Sequence, residues 1–120
     1  MLGDCYDKLP NEACGLIAGT GSDASVGYAI TNVANSSRVY ELAPREHLRA
    51  DRDAEDRGLQ LIGVYHSHTH TVAYPSPTDV QAAPDPNWHY VLVSLADEAP
   101  SVRSYRIVDG NITEESVVVI

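Results

Sequence analysis

The most constraining feature of this 120-residue sequence is an apolar segment that ends in closely spaced histidines. Residues 59–65 form a mostly apolar run, which predicts a buried β-strand. Side chains alternate between the two faces of a strand, so His66 and His68 are expected to lie on the same face. Two imidazoles placed in this way can reach one metal ion. The segment therefore predicts a strand with a metal site at its end.

A carboxylate returns to this strand end after a short loop. Pro75 and Pro77 mark the end of that loop, and residues 77–83 are predicted to form a helix with Ser76 as its N-cap. Asp79 then lies in the first helical turn, which folds it back toward the histidines. Two neutral imidazoles and one carboxylate, with a fourth position left to water, are typical of a catalytic zinc site rather than a closed structural one.

The spacing His-x-His, seven residues, Ser-x-x-Asp resembles the motif of the JAMM (MPN+) zinc metalloproteases. In this chain it runs from His66 to Asp79, and Glu12 matches the upstream glutamate of that family. Within the family, the chain is most similar to actinobacterial members that release cysteine from the C-terminus of a sulfur-carrier protein. The similarity extends over nearly the whole chain and includes residues 74–80, 89–94 and 103–110.

The resemblance implies a role for each residue of the motif. His66, His68 and Asp79 would bind Zn²⁺, and Glu12 would pass a proton from the attacking water to the leaving amine. Ser76 would donate a hydrogen bond to the oxyanion of the tetrahedral intermediate. The implied substrate is the amide bond after the C-terminal Gly-Gly of a ubiquitin-like sulfur-carrier protein, whose tail lies extended against a strand edge.

Three further residues near the motif have side chains that could take part in the chemistry. His70 continues the alternation of His66 and His68, so a three-histidine site without Asp79 is a rival ligand set. Cys14 is a rival nucleophile, although a thiol would need a base and a lowered pKa. Ser67 lies between the two ligands and is expected to face away from the metal, in a supporting role.

Two rival functions also remain. One is isopeptide cleavage of a ubiquitin-like modifier from lysine, and the other is a non-catalytic MPN scaffold that binds partners. The scaffold is disfavoured because such relatives have typically lost the ligands. Nucleoside deaminases and zincins are excluded, because Pro-Cys-x-x-Cys and His-Glu-x-x-His are absent from the chain.

Composition and charge exclude further classes of protein. The net charge of −9 argues against nucleic acid as a partner, since binding it requires a basic surface. Two cysteines are too few for a disulfide framework. No apolar run approaches the length of about 20 residues that spans a bilayer, and the N-terminus has no secretory pattern. We therefore expect a cytoplasmic protein that has no membrane partner.

The pattern of elements predicts one α+β domain over residues 1–120, with a curved, mostly antiparallel sheet and helices packed against it. The first three strands are expected to form an antiparallel meander, and Asp109-Gly110 predicts a hairpin between the last two. The fold implied by the resemblance is the JAMM/MPN domain, which is related to that of cytidine deaminases. The predicted strands are residues 13–18, 24–33, 38–42, 59–66, 88–95, 102–108 and 112–119, and the predicted helices are residues 2–8, 44–58 and 77–83.

The N-terminus departs from the family pattern. Family members usually begin with a strand and a longer helix ahead of the glutamate, so this chain starts late. We expect either a truncated chain or a neighbouring copy that covers the exposed region, as in a homodimer.

Overall fold

The computed structural model describes residues 1–37, 39–83 and 85–117, and these residues form a six-stranded sheet with three helices. The strand order is β2-β1-β3-β4-β5-β6, and every neighbouring pair is antiparallel except β3 and β4. The predicted α+β class with a mostly antiparallel sheet is confirmed. The elements are α1 (Leu2–Asp7), β1 (Cys14–Thr20), β2 (Asp23–Ile30), α2 (Pro44–Asp56), β3 (Gln60–His68), α3 (Pro77–Ala82), β4 (His89–Ser94), β5 (Ser101–Val108) and β6 (Asn111–Glu115).

Strand β3 lies in the middle of the sheet, between β1 and β4. Val64 packs in the core on one face of the sheet, and Tyr65 packs in a second core on the other face. A strand that is covered on both faces must be apolar at successive positions, which is why this segment has a continuous apolar run. The central position of β3 also brings its last residues, His66 and His68, into the interior.

The hairpin between β5 and β6 follows from two adjacent turn residues. Asp109 and Gly110 both have positive φ angles, 50° and 79°. A two-residue turn of the type that matches strand twist requires this conformation at both positions, and Asp-Gly adopts it readily. The predicted hairpin is confirmed. The predicted last strand reaches Val119, but β6 ends at Glu115 and residues 118–120 lie outside the described part of the chain.

The predicted strand over residues 38–42 is wrong, and so is the antiparallel meander. Arg38 lies outside the described residues, and residues 39–42 contribute only an isolated bridge from Leu42 to Asn32. Strand β1 is paired with β2 on one side and with β3 on the other. The backbone groups Val39 O and Glu41 N bond to the side chain of Asn32 rather than to a neighbouring strand. Residues 39–42 therefore form a loop, and Tyr40 in this loop packs against His66 of β3.

Helix α2 packs on the sheet through small residues. Ala50 and Ala54 are buried, whereas Leu48 is 50% exposed. Leu48 is two positions from Ala50, about 200° around the helix, so the two side chains cannot share one face. The apolar stripe of Leu48, Ala50 and Ala54 that the sequence suggests is therefore reduced to the two alanines. Among the described residues, no helix combines the length and the apolar character needed to cross a bilayer.

Candidate metal centre

The register between β1 and β3 brings residues from distant parts of the chain together. Cys14 of β1 pairs with His66 of β3 in an antiparallel ladder. Glu12 is two residues before Cys14 and His68 is two residues after His66, so Glu12 and His68 lie side by side on one face. All three polar side chains are buried, with exposed fractions of 3%, 2% and 5% for Glu12, His66 and His68. Their ligand atoms lie within 4.8 Å of one another.

The N-terminus of α3 supplies Asp79 to the same place. Ser76 is the N-cap, as predicted: its Oγ accepts a hydrogen bond from Asp79 N at 3.1 Å, and Ser76 N donates to Asp79 Oδ2 at 2.9 Å. These reciprocal bonds form a capping box that holds the Asp79 side chain in one direction. Asp79 Oδ2 is thereby placed 3.1 Å from His66 Nε2 and 3.0 Å from His68 Nε2.

The contacts of the His68 ring indicate that a proton or a metal ion binds between His68 Nε2 and Asp79 Oδ2. Nδ1 of His68 lies 2.9 Å from the carbonyl oxygen of Val72, which can only accept, so Nδ1 carries a hydrogen. In the neutral ring, Nε2 then presents a lone pair to Asp79 Oδ2, which also presents lone pairs. Two lone pairs at 3.0 Å repel unless a proton or a metal ion binds there. A histidine held by a carbonyl through its other nitrogen is typical of metal ligands.

The residues present fit a small tetrahedral cation. Around zinc, nitrogen and oxygen ligands at about 2.0–2.1 Å lie roughly 3.3 Å from one another. The separations from Asp79 Oδ2 to His66 Nε2 and His68 Nε2, 3.1 and 3.0 Å, are close to that value. Both ring nitrogens of His66 and Oε1 of Glu12 are buried and make no hydrogen bond to the described residues, although His66 Nε2 faces Asp79 Oδ2. Leaving a buried polar atom unsatisfied is costly, and a cation beside Asp79 Oδ2 would satisfy His66 Nε2.

The pKa shifts of the cluster follow from burial and from the close contacts. Burial raises the pKa of Glu12 to about 8, with a further contribution from the negative charge of Asp79. Burial also lowers the pKa of His66. Burial opposes the charged form of Asp79, but contacts with the two imidazoles outweigh it and hold the pKa of Asp79 below its usual range. For His68, burial lowers the pKa of the ring, but the hydrogen bonds with Asp79 and Val72 O, together with the negative charges of Asp79 and Glu12, outweigh it and raise the pKa.

We expect Glu12→Gln to stabilise the metal-free protein increasingly as the pH rises. The pKa of Glu12 is about 8 in the folded chain against an ordinary value of 4.5, so between these pH values the folded state holds a proton that the unfolded state lacks. The free energy of unfolding then falls with rising pH, and glutamine abolishes this dependence. The difference between the two proteins should be small at pH 5 and on the order of a few kcal/mol at pH 8.

This prediction is checked by urea unfolding in the presence of a chelator at pH 5, 6.5 and 8. Glu98→Gln makes the same substitution at an exposed position and is the matched control. It should change the free energy of unfolding by less than about 0.5 kcal/mol at each pH. A difference between Glu12→Gln and the unmodified protein that is the same at all three pH values would contradict the expectation.

Tyr40 is a site residue that the sequence analysis missed. Its ring stacks on His66, with ring centroids 4.2 Å apart and an angle of 22° between the planes. Burial raises the pKa of Tyr40 above its usual range, so the phenol stays neutral. No local pattern predicts this contact, because Tyr40 lies in the loop that was predicted as a strand, 26 positions before His66 in the chain.

The remaining candidates lie apart from the centre or face away from it. His70 is exposed and is not part of the buried cluster with Glu12. Ser67 faces the opposite side of β3, where its Oγ accepts a hydrogen bond from Ala13 N at 2.8 Å. Burial raises the pKa of Cys14 to about 12, which is the opposite of what a thiol nucleophile requires.

Comparison with known proteins places the chain in a family. A model of the family described as prokaryotic homologs of the JAB domain matches residues 2–108. The chain belongs to this family. The JAB/MPN fold that the motif implied is therefore confirmed, and curated relatives of this JAB-domain chain include one named a peptidase and one named a probable protease.

Two relatives and one solved structure show how far the likeness extends. The chain is 48% identical to the CysO-cysteine peptidase of Mycobacterium tuberculosis over 123 aligned residues, which cover 100% of this chain and 84% of the relative. It is 38% identical to the desampylase of Haloferax volcanii over 89 residues, 71% of this chain and 63% of the relative. The solution structure of a Desulfitobacterium hafniense protein superposes with a TM-score of 0.90 at 34% identity, covering 98% of this chain and 84% of that one.

Proposed function

We propose that this chain is a zinc-dependent peptidase that hydrolyses the amide bond after the C-terminal Gly-Gly of a ubiquitin-like sulfur-carrier protein and releases cysteine. The observation that carries the proposal is the contact of one oxygen, Asp79 Oδ2, with His66 Nε2 and His68 Nε2, beside the buried carboxylate of Glu12. The full-length similarity to a CysO-cysteine peptidase supports the substrate and the product.

His66, His68 and Asp79 would hold the metal ion. The contacts from Asp79 at 3.0 and 3.1 Å suit a ligand, whereas Glu12 is left to act on the reacting atoms. When bound, zinc lowers the pKa of water to about 7 and polarises a carbonyl group. Each ligand is already oriented by a second contact: His68 by the Val72 carbonyl, His66 by the Tyr40 ring, and Asp79 by the capping box.

Glu12 would move the proton that hydrolysis requires. Amide hydrolysis takes a proton from the attacking water and delivers one to the leaving amine nitrogen, as the carbon–nitrogen bond breaks. Glu12 Oε1 is buried without a hydrogen-bond partner among the described residues, and it lies beside the imidazoles. A carboxyl group with a pKa of about 8 before metal binding exchanges protons readily near neutral pH. Positioned proton transfer of this kind typically contributes about 10²–10⁴-fold to the rate.

Ser76 would stabilise the oxyanion of the tetrahedral intermediate. Its Oγ already accepts a hydrogen bond from Asp79 N at 3.1 Å, which orients the hydroxyl group, and the hydroxyl still carries its own hydrogen to donate. The capping box thus places a donor at the N-terminus of α3, next to the metal ligand Asp79. Loss of one such donor typically costs about 2.7–4 kcal/mol of transition-state stabilisation.

We expect the zinc-loaded protein to shorten a sulfur-carrier protein that ends in Gly-Gly-Cys by one cysteine residue. Mass spectrometry of the carrier at successive times measures the conversion, and the same protein with zinc removed by a chelator should leave the carrier intact. A carrier that ends in Gly-Gly alone is the matched substrate control. An unchanged Gly-Gly-Cys carrier after prolonged incubation with the zinc-loaded protein would overturn the assignment of the released residue.

A second candidate is isopeptide cleavage of a ubiquitin-like modifier from lysine. The observation that favours it is the similarity to a desampylase, a relative named for a different reaction from that of the CysO-cysteine peptidase. The same experiment with a carrier joined through its Gly-Gly terminus to a lysine side chain discriminates between the two. Faster cleavage of the lysine conjugate than of the Gly-Gly-Cys carrier would favour the isopeptidase.

A further inference from the structure

The side-chain amide of Asn32 uses all of its hydrogen-bond donors and acceptors. Its Nδ2 donates to the carbonyl oxygens of Glu12 and Val39, both at 3.1 Å. Its Oδ1 accepts from Ala34 N at 3.1 Å and from Glu41 N at 2.9 Å. An amide has two donor hydrogens and two acceptor lone pairs, so all four are used. Because all four partners are backbone groups, this half-buried side chain fixes the backbone around it.

Two of these four bonds hold the peptide groups on either side of Tyr40. Val39 O is the acceptor on one side, and Glu41 N is the donor on the other. The backbone of Tyr40 is therefore clamped at both ends by one side chain. The direction of a side chain follows from its backbone, so the clamp also sets where the Tyr40 ring lies. That ring is the one stacked on His66, with centroids 4.2 Å apart.

A third bond of Asn32 reaches the backbone of Glu12. Glu12 O accepts from Asn32 Nδ2, and Glu12 N donates to Ser36 O at 2.7 Å. Glu12 precedes the first residue of β1, so its own N–H and C=O groups lie outside the strand, although the next residue is bound to β3 through Ala13 N and Ser67 Oγ. Residues 31–37 bind both of these Glu12 groups. The same segment also reaches the turn after His68, where Thr69 Oγ1 donates to Ser37 O at 3.2 Å.

We propose that Asn32 is a positioning residue that holds Glu12 and the Tyr40–His66 stack in register with each other. The proposal rests on the function proposed above, because it assigns Asn32 to the geometry of that reaction. None of the four hydrogen bonds of Asn32 involves a side chain of the proposed metal ligands or of Glu12. The single amide group of Asn32 joins the backbone of Glu12, the proposed proton carrier, to the backbone of Tyr40, whose ring stacks on His66.

Asn32→Asp is the substitution that separates this role from simple packing. Aspartate has the same size and keeps the two acceptor bonds to Ala34 N and Glu41 N, but it loses both donor bonds, to Glu12 O and Val39 O. Those carbonyl oxygens would then face a carboxylate. We expect a tenfold or greater loss of zinc affinity, in the range of about 10–100-fold seen for residues that support metal ligands. We also expect kcat to fall by about 10–100-fold while KM changes less than about threefold.

The effect on zinc affinity should pass through Tyr40. Tyr40→Leu removes the stack on His66 without touching the backbone of Glu12 and should also weaken zinc binding. If Asn32 acts by placing the Tyr40 ring, the Asn32→Asp/Tyr40→Leu double variant should bind zinc within about twofold of Asn32→Asp alone. Competition with a fluorescent chelator measures all four affinities. In the metal-free protein, the upfield ring-current shift of the His66 proton resonances should be lost in Asn32→Asp.

Matched controls keep the proposal falsifiable. Asn87→Asp makes the same change at an exposed position that makes no hydrogen bond to the described residues of the 31–42 loop, and it should leave zinc affinity, kcat and the His66 resonances unchanged. Asn32→Ser, which is uncharged, offers the same double-variant test should the aspartate prevent folding. Independent, additive losses in the double variant, or an unchanged His66 resonance, would overturn the positioning role. Failure of the zinc-loaded parent to cleave any carrier substrate would instead overturn the proposed function.

Discussion

Replacing Glu12 with glutamine is expected to lower kcat by about 10²–10⁴-fold while zinc remains bound at one ion per chain. Glutamine has nearly the same shape as glutamate but cannot accept a proton from water or deliver one to the leaving amine. The three proposed ligands, His66, His68 and Asp79, are unchanged by this substitution. Zinc content is measured by plasma emission spectroscopy, and kcat is measured by mass spectrometry of the Gly-Gly-Cys carrier.

The combination of the two measurements assigns the role of Glu12. Its carboxylate oxygen lies within 4.8 Å of the ligand nitrogens of His66 and His68, so it is close enough to be considered as a ligand itself. Loss of zinc together with activity in Glu12→Gln would show that Glu12 binds the metal. Full activity would remove it from the chemistry altogether. Glu98→Gln, at an exposed position, should retain both zinc and turnover.

Asp79→Asn should weaken zinc binding by more than about 100-fold, beyond the range typical of residues that only support a ligand. The amide oxygen of asparagine can still accept the hydrogen bond from Ser76 N, so the start of α3 is retained. The negative charge that faces His66 Nε2 and His68 Nε2 is removed, however, and a neutral oxygen is a poor ligand for zinc. Activity should be lost together with the metal.

His70→Ala is the matched control for this substitution. His70 continues the histidine series along the sequence, but its side chain is exposed. We expect the alanine variant to bind zinc as tightly as the parent protein, as measured by competition with a fluorescent chelator. Retention of zinc by Asp79→Asn together with its loss in His70→Ala would reassign the third ligand from Asp79 to His70.

Local rules were sufficient for the parts of the centre that lie within one stretch of chain. Strand alternation places His66 and His68 on one face, whatever the remainder of the fold does. The N-cap geometry that relates Ser76 to Asp79 depends only on neighbouring residues, and the structure shows the predicted N-cap as part of a capping box. The Asp109-Gly110 turn is local in the same sense, since the φ angles it needs are available to those two residues. Zinc binding at this centre stays a prediction.

The distant contacts of the centre depended on how the strands pair. Glu12 was assigned from a family resemblance, and its place beside His68 follows from the antiparallel register of Cys14 with His66. Residues 38–42 are predicted to form a strand, yet residues 39–42 form a loop, because Val39 O and Glu41 N bond to the side chain of Asn32 instead of to a neighbouring strand. Which partner these backbone groups take depends on contacts between remote segments.

The contacts of Asn32 and Tyr40 could not be predicted from a local sequence pattern. An asparagine in a loop and a tyrosine eight positions later carry no sign of a shared role. Folding brings the peptide groups around Tyr40 to both sides of one amide group, and then sets the ring on His66. Local geometry thus specified which groups can bind a metal, because bond lengths and alternation act over a few residues. Packing between remote segments specified which groups hold them in place, because those contacts exist only once the sheet has formed.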